Sequence, residues 1–413
     1  MRLDFLILSS LLASIASGIL TIKPPNRFAD DTDDLKSQVL QVTNDIRAKV
    51  ANALGHREER VKRRSIQSSC TAKSLVLRRE YGSLSVKERL AYVNAVKCLQ
   101  RLPARTPANV SLGAQSRFDD FVVVHIQQTR TIHFTGNFMP WHRWFLYTYE
   151  KALREECGYK GYQPYWDWPK YASAPEKSPI FNGDPYSLGG NGDYVPHNGP
   201  VISPPEGIAG SQLQLPAGLG GGYVTTGPFA NMSVNLGPGE NLGYNPRRLK
   251  RDVGPALNQI YGNYTTVLEL LKKPNFDEYR LLSEGVPGTA DLGPHGGMHF
   301  TIGGDPGADL FTSPGDPAFW VHHGMMDRMW ALWQASNPNT RKFDLGSGNY
   351  SHITWDNKPE SRKVSLDDVL DMGYAGNSAT IRDQLVLAPE ATQYVPSGPE
   401  PILVGSEPLE LPV

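Results

Sequence analysis

Six of the ten histidines in this 413-residue chain fall into two triplets. His125, His133 and His142 follow the pattern H-x7-H-x8-H, and His295, His299 and His323 follow H-x3-H-x23-H. His295 and His299 stand four positions apart, so one helical face presents both imidazoles to a single point. Each set offers three neutral nitrogen donors and no cysteine, which suits zinc, copper, nickel or iron rather than magnesium or calcium. A zinc-protease motif would place glutamate directly after the first histidine of the close pair, and residue 296 is Gly. Two adjacent three-histidine sites suit instead a pair of copper ions that takes up dioxygen. Neutral ligands put no buried anion beside Cu(I), and each metal keeps an open position. His322 adjoins His323, but successive helical positions lie about 100° apart, so only one of the two is expected to face the metal. His56, His197 and His352 stand alone and read as ordinary core or surface residues.

The two sets must be brought together by helices. Residues 85–100 predict one, with Ser85 as its cap and Leu90, Val93, Val96 and Leu99 on one face. Further helices are expected over 119–128, 141–157, 255–271, 293–300 and 317–334, and residues 185–222 read as a Gly/Pro-rich loop. Forty Gly and 33 Pro indicate long ordered loops, while 39% hydrophobic and 10% aromatic residues exclude a disordered chain. The expected fold is therefore mainly α, a four-helix-bundle core holding the two histidine sets, with long loops and little β. A formal net charge of −1 gives no argument for nucleic acid or an anionic membrane as partner. Cys70, Cys98 and Cys157 are too few for a disulfide scaffold and allow three single-bridge pairings.

The N-terminus sets the expected compartment. Arg2 precedes an apolar run from Phe5 to Leu12, and small residues follow from Ala13 to Gly18. Residues 1–18 thus read as a secretory signal peptide cleaved after Ala16 or Gly18. The run is well short of the ~20 residues a membrane span requires. A secreted, extracellular glycoprotein is expected, with Asn-x-Ser/Thr acceptors at Asn109, Asn231, Asn263 and Asn349. Residues 19–64 form a separate segment. Its part from 23 to 64 holds 10 Lys/Arg and 7 Asp/Glu, twice the charge density of the chain, and ends in Lys62-Arg63-Arg64. Leu35, Val39, Val42, Ile46, Val50 and Leu54 recur there at helical spacing. The segment reads either as a propeptide or as an N-terminal helix packed on the domain, and residues 65–413 form the copper-binding catalytic domain.

The flanks of the histidines carry a resemblance. Phe138-Met139-Pro140-Trp141-His142-Arg143 surrounds the last ligand candidate of the first set, and Pro164-Tyr165-Trp166-Asp167-Trp168 follows. Asp316-Pro317-Ala318-Phe319-Trp320-Val321-His322-His323 closes the second set, with Asp327, Arg328 and Trp330 beyond. Over roughly residues 75–375 these stretches resemble the type 3 copper tyrosinase and catechol oxidase family. Arg78-Arg79-Glu80, Gly227-Pro228-Phe229 and Asn245-Pro246-Arg247 resemble its short secreted enzymes from filamentous fungi. The resemblance implies two copper ions per chain, one on His125, His133 and His142 and the other on His295, His299 and His323. It implies that Phe319 packs over the site and that His322 is structural. Asp327 lies one turn after His323, placed either to orient an imidazole or to pair with an arginine. Tyr374 resembles the tyrosine that closes the domain against an N-terminal arginine, Arg78 or Arg79.

Three departures bear on the reaction. Thr131 stands where many members carry a cysteine that forms a thioether to the middle histidine, so that crosslink is expected to be absent. Members that hydroxylate monophenols often have glutamate four residues before the first histidine of the second site and asparagine after it; here these are Asp291 and Gly296. With 90 residues after His323, the C-terminal shielding domain of many members is expected to be absent. The expected function is oxidation of o-diphenols to o-quinones with reduction of O2 to water, with weak or no monophenol hydroxylation. The alternatives are a full tyrosinase and, more distantly, a haemocyanin-like oxygen carrier.

Overall fold

The computed structural model describes residues 19–21, 33–64, 78–202, 212–286, 291–348 and 350–385. The expected signal peptide, Cys70 and Asn349 lie outside the described residues. The fold is mainly α, as expected. Its helices of seven residues or more are α1 (Asp33–Arg64), α2 (Val86–Leu99), α3 (Arg117–Ile132), α4 (Phe138–Glu155), α5 (Pro255–Tyr261), α6 (Tyr264–Lys272), α7 (Phe276–Glu284), α8 (Gly293–Ile302) and α9 (Ala318–Ser336). Among the described residues β-structure is limited to short strands. In the expected loop over 185–222 these are β2 (Gly192–Tyr194), β3 (Val201–Ile202), β4 (Gln212–Gln214) and β5 (Gly221–Val224). Strand β4 pairs antiparallel with β3 and parallel with β1 (Ile19–Thr21), and β2 pairs with β5. No helix of the described residues is long and apolar enough to cross a membrane.

Local chemistry sets the helix starts. Ser85 and Glu88 form a reciprocal capping box on α2, and Ser116 and Asp119 form one on α3. On α2, Val93, Val96 and Leu99 are buried, but Leu90 is 37% exposed and Tyr92 and Ala95 take the inner face with them. The single helix expected over 255–271 is two. A Cβ on Gly262 would lie 2.5 Å from Met298 Sδ, so the chain turns there against α8, and Asn263 restarts the helix by accepting from the Thr266 N–H. This overturns Asn263 as a glycan acceptor: it is 5% exposed, and its Nδ2 donates to the Gln259 carbonyl at 2.6 Å. Asn109 and Asn231 are exposed.

Helices α3, α4, α8 and α9 form the core around the histidines. Phe121 stands edge-on to both Tyr149 and Trp320, whose rings stack at 3.5 Å. Two arginines bind α4 to α9. Arg78 donates to Glu150 of α4 at 2.8 Å and to Asp327 of α9 at 3.1 Å, and Arg143 of α4 donates to the other Asp327 oxygen. The Arg143 guanidinium also lies 3.8 Å from the Trp330 ring centre. Of the two roles open to Asp327, the structure has the ion pair. Removing one partner of such a buried set typically costs about 3–5 kcal/mol. Arg79 pairs with Glu88 instead. Tyr374 is 45% exposed, and the arginine at its turn is Arg117, which donates to the Ala375 carbonyl; the expected tie to Arg78 or Arg79 is corrected accordingly. The one disulfide among the described residues joins Cys98 at the end of α2 to Cys157 after α4. At the N-terminus, α1 lays Val39, Thr43 and Ile46 in buried contact on the domain, beside α6 and α9.

Candidate metal centre

Helix α3 supplies His125 and ends at His133; α4 supplies His142 in its second turn. Helix α8 supplies His295 and His299, and α9 supplies His323. One ring nitrogen from each of His125, His133 and His142 lies within 4.8 Å of the others, and the same holds for His295, His299 and His323. The sets face each other. The His142 and His323 rings stack at 4.7 Å, and those of His133 and His295 at 5.6 Å.

The ring orientations are set by the backbone. His125 Nδ1–H donates to the Phe311 carbonyl at 2.8 Å, His133 Nδ1–H to Thr129 at 2.9 Å, and His142 Nδ1–H to Phe138 at 2.8 Å. His299 Nδ1 meets the Gly307 carbonyl at 3.3 Å. With Nδ1 donating, Nε2 carries the lone pair. Backbone carbonyls thus do for these rings what carboxylates do in many metal sites, and Asp327 is not needed for it.

The residues fit two metal ions. Nε2 of His125, His142 and His295 is buried without a hydrogen-bond partner, an arrangement proteins rarely leave unmade. Burial, more than the neighbouring rings, holds His125, His142, His295 and His323 well below the usual imidazole range. His133 is brought down to about 4 and His299 to about 3, again chiefly by burial. Neutral imidazoles keep their lone pairs free for a cation near pH 7. An all-nitrogen set of this kind suits copper, as it does zinc, nickel or iron.

Around the histidines, Phe319 is buried and stacks on His323 at 4.1 Å, with His125 at 5.6 Å and His299 at 5.7 Å. His322 adjoins the second set with its Nε2 already engaged. A nitrogen of its ring also lies within 4.8 Å of the second set, although its Nε2 is engaged with the His295 carbonyl at 3.1 Å. Asp291 accepts from the Gly293 N–H at the start of α8. Gly296 is half-buried, and an added Cβ there would meet Leu292 Cβ at 3.3 Å, a tight contact.

Sequence reasoning missed α7 and its last residue. Asn275 followed by Glu278 is a capping signal that marks the start of this helix. Glu284 is buried, accepts from the Phe134 N–H at 2.7 Å and pairs with Arg280 at 2.7 Å. Burial, against the pull of Arg280, pushes its carboxyl up to about 7. Phe134, next to His133, has φ +52°, a left-handed conformation that costs roughly 1–2 kcal/mol for a residue with a side chain.

Thr131, in the thioether position, is exposed and donates through Oγ1 to the Gln128 carbonyl, while Cys98 and Cys157 are bonded to each other. A tryptic peptide containing His133 is therefore expected at its unmodified mass. A crosslinked peptide lighter by two hydrogens would overturn that expectation.

Comparison with known proteins gives concordant results. The model of the common central domain of tyrosinase matches residues 115–336. The tyrosinase-like protein orsC of Emericella nidulans is 42% identical over 320 residues, covering 72% of this chain and 84% of that protein. Tyrosinase P of Aspergillus terreus is 38% identical over 331 residues, covering 77% and 90%. A solved structure of a polyphenol oxidase from Thermothelomyces thermophila, a mutant form, is 60% identical with a TM-score of 0.81, covering 86% of this chain and 97% of that one.

Proposed function

Since this chain belongs to the tyrosinase family, we propose that it is a catechol oxidase, converting o-diphenols to o-quinones with little monophenol hydroxylation. The coarser function follows from membership: a dinuclear copper oxidoreductase that acts on phenols with O2. The proposed ligands are His125, His133 and His142 for one copper and His295, His299 and His323 for the other. In the overall reaction two catechols each give up two electrons and two protons, and one O2 becomes two waters.

The copper pair supplies the redox chemistry when bound. The protein's part is positional and electrostatic. Carbonyls of Phe311, Thr129 and Phe138 fix the first three rings, and burial keeps all six neutral. Phe319, stacked on His323, fills the side of the centre nearest α3 and limits where a flat substrate ring fits. The observation that carries the diphenol preference is Gly296. It presents no side-chain amide beside His295, and the Asp291 carboxylate accepts from the Gly293 N–H at the helix start. A water there lacks the partners that would make it a base for a phenol proton, whereas the second hydroxyl of a catechol supplies its own chelating oxygen. Copper-loaded protein given a phenol and a catechol with the same side chain should oxidise the catechol at once and the phenol slowly or after a lag. Equal rates would make it a full tyrosinase.

The proposal includes an extracellular location, supported by the sequence of residues 1–18. It also takes residues 65–413 as the catalytic domain. For residues 19–64 the buried contacts of Val39, Thr43 and Ile46 favour a helix that belongs to the folded protein over an inhibitory propeptide. Asn109 and Asn231, both exposed, are the proposed glycan acceptors among the described residues.

A further inference from the structure

Helix α3 ends at His133, and the chain leaves it through Phe134 at φ +52°. Glycine usually occupies this first position past a helix, because it enters the left-handed region without strain. Here the residue is a phenylalanine, whose ring lies 4.7 Å from that of Trp355. His133 itself is extended at φ −120° and ψ 145°, so the Phe134 N–H is carried away from the back-bonding position of the usual helix end. Phe134 instead donates its N–H to Glu284 Oε1, from a helix 150 residues away in the chain, while Glu284 Oε2 takes Arg280 Nη1. The Arg280 and Glu284 side chains are 1% and 0% exposed, so the charge-assisted bond acts without competition from water. Helix α7, which carries Glu284, packs against α8, the helix of His295 and His299.

We propose that Glu284 is a positioning residue for the first metal site, acting by holding the left-handed turn at Phe134 that lets the His133 imidazole face the pair. This rests on His133 being a copper ligand, as proposed above. The carboxylate replaces the glycine that a free-standing helix end would use. Because it comes from α7, it also sets the register of the first site against the helix of the second. Arg280 keeps the carboxylate aimed, so its effect is one step further removed.

The test is copper affinity of refolded protein, measured by competition with a chelator, together with the thermal midpoint of the copper-free form. Glu284→Ala should weaken copper binding at one of the two sites by about 10- to 100-fold, the usual effect of losing a group that orients a ligand. Adding Phe134→Gly should recover most of that loss, since glycine takes the turn without help. Arg280 is stranded equally in the single and double variants, so their difference isolates the turn. A general loss of packing would not be rescued by removing another side chain. Glu284→Gln, which keeps an acceptor oxygen for the Phe134 N–H, should bind copper close to wild type, and it serves if the alanine variant does not fold. Wild-type affinity in Glu284→Ala, failure of Phe134→Gly to rescue it, or strong loss in Glu284→Gln overturns the proposal. His133→Ala, measured alongside, separates this from the ligand assignment. If it keeps wild-type affinity, the assignment fails and the role of Glu284 with it; if it loses copper while Glu284→Ala does not, the role of Glu284 alone fails.

Discussion

His299→Ala is expected to leave one copper per chain and to reduce catechol oxidation to the background of free copper. His299 sits at 9% exposure between His295 and His323, with ring centroids 4.7 Å and 5.3 Å away. Its loss leaves the second set with His295 and His323, while the first set, held on α3 and α4 by the Thr129 and Phe138 carbonyls and by that of Phe311 from the segment between α8 and α9, keeps all three rings. Turning a catechol into its quinone removes two electrons, and a pair of coppers held by the two histidine sets would supply two one-electron acceptors, so a chain with one set broken would lack half of that capacity. Elemental analysis and oxygen uptake on the same sample check both halves. Two coppers retained in His299→Ala, or unreduced uptake with one, would refute the ligand assignment.

Gly296→Asn, alone and with Asp291→Glu, is expected to raise the ratio of monophenol to diphenol rates. A phenol has a pKa of about 10, so near pH 7 it must lose a proton before it binds as phenolate. Help from a positioned base is typically worth about 10²–10⁴ in rate, enough to decide which activity is seen. The substitution asks for only a small shift of one neighbour, because a Cβ at Gly296 would press on Leu292 Cβ at 3.3 Å and meet no other residue as closely. The neighbouring glycine is the control. A Cβ at Gly297 would lie 2.4 Å from Tyr261 Cβ, so Gly297→Ala should cost about 1–3 kcal/mol of stability by overpacking and lower both activities together. Unchanged rate ratios in fully copper-loaded Gly296 variants would mean that entry to the site, not proton acceptance, separates the substrates.

Much of this centre was legible in the sequence because its chemistry is local. The i, i+4 spacing of His295 and His299 already places two donors on one helical face, and the absence of cysteine and of a glutamate at 296 narrows the metal. The capping pair Ser85 and Glu88 likewise marks a helix start within four residues. Helix α7 was equally marked by Asn275 and Glu278, but its short run lacks the long apolar periodicity that identifies a helix at a distance.

What the tertiary structure decided concerns pairs far apart in the chain. Arg78 and Asp327 are 249 residues apart, and Glu284 and Phe134 are 150 apart. No periodicity links such positions, so the sequence leaves Asp327 open between an imidazole and an arginine and gives Glu284 no role. The choice of Cys98 and Cys157 among three pairings depends in the same way on how α2 lies against α4. Asn263 carries an intact sequon, yet packing turns its amide inward to cap α6. His322 turns its Nε2 to the His295 carbonyl, a contact between α9 and α8 that the angular step along α9 does not foretell. The sequence by itself determined which atoms are able to bind metal, since donor type and helical spacing are properties of short segments. Only the packed chain decided which groups hold those atoms in place, since burial and long-range contact exist only once distant segments meet.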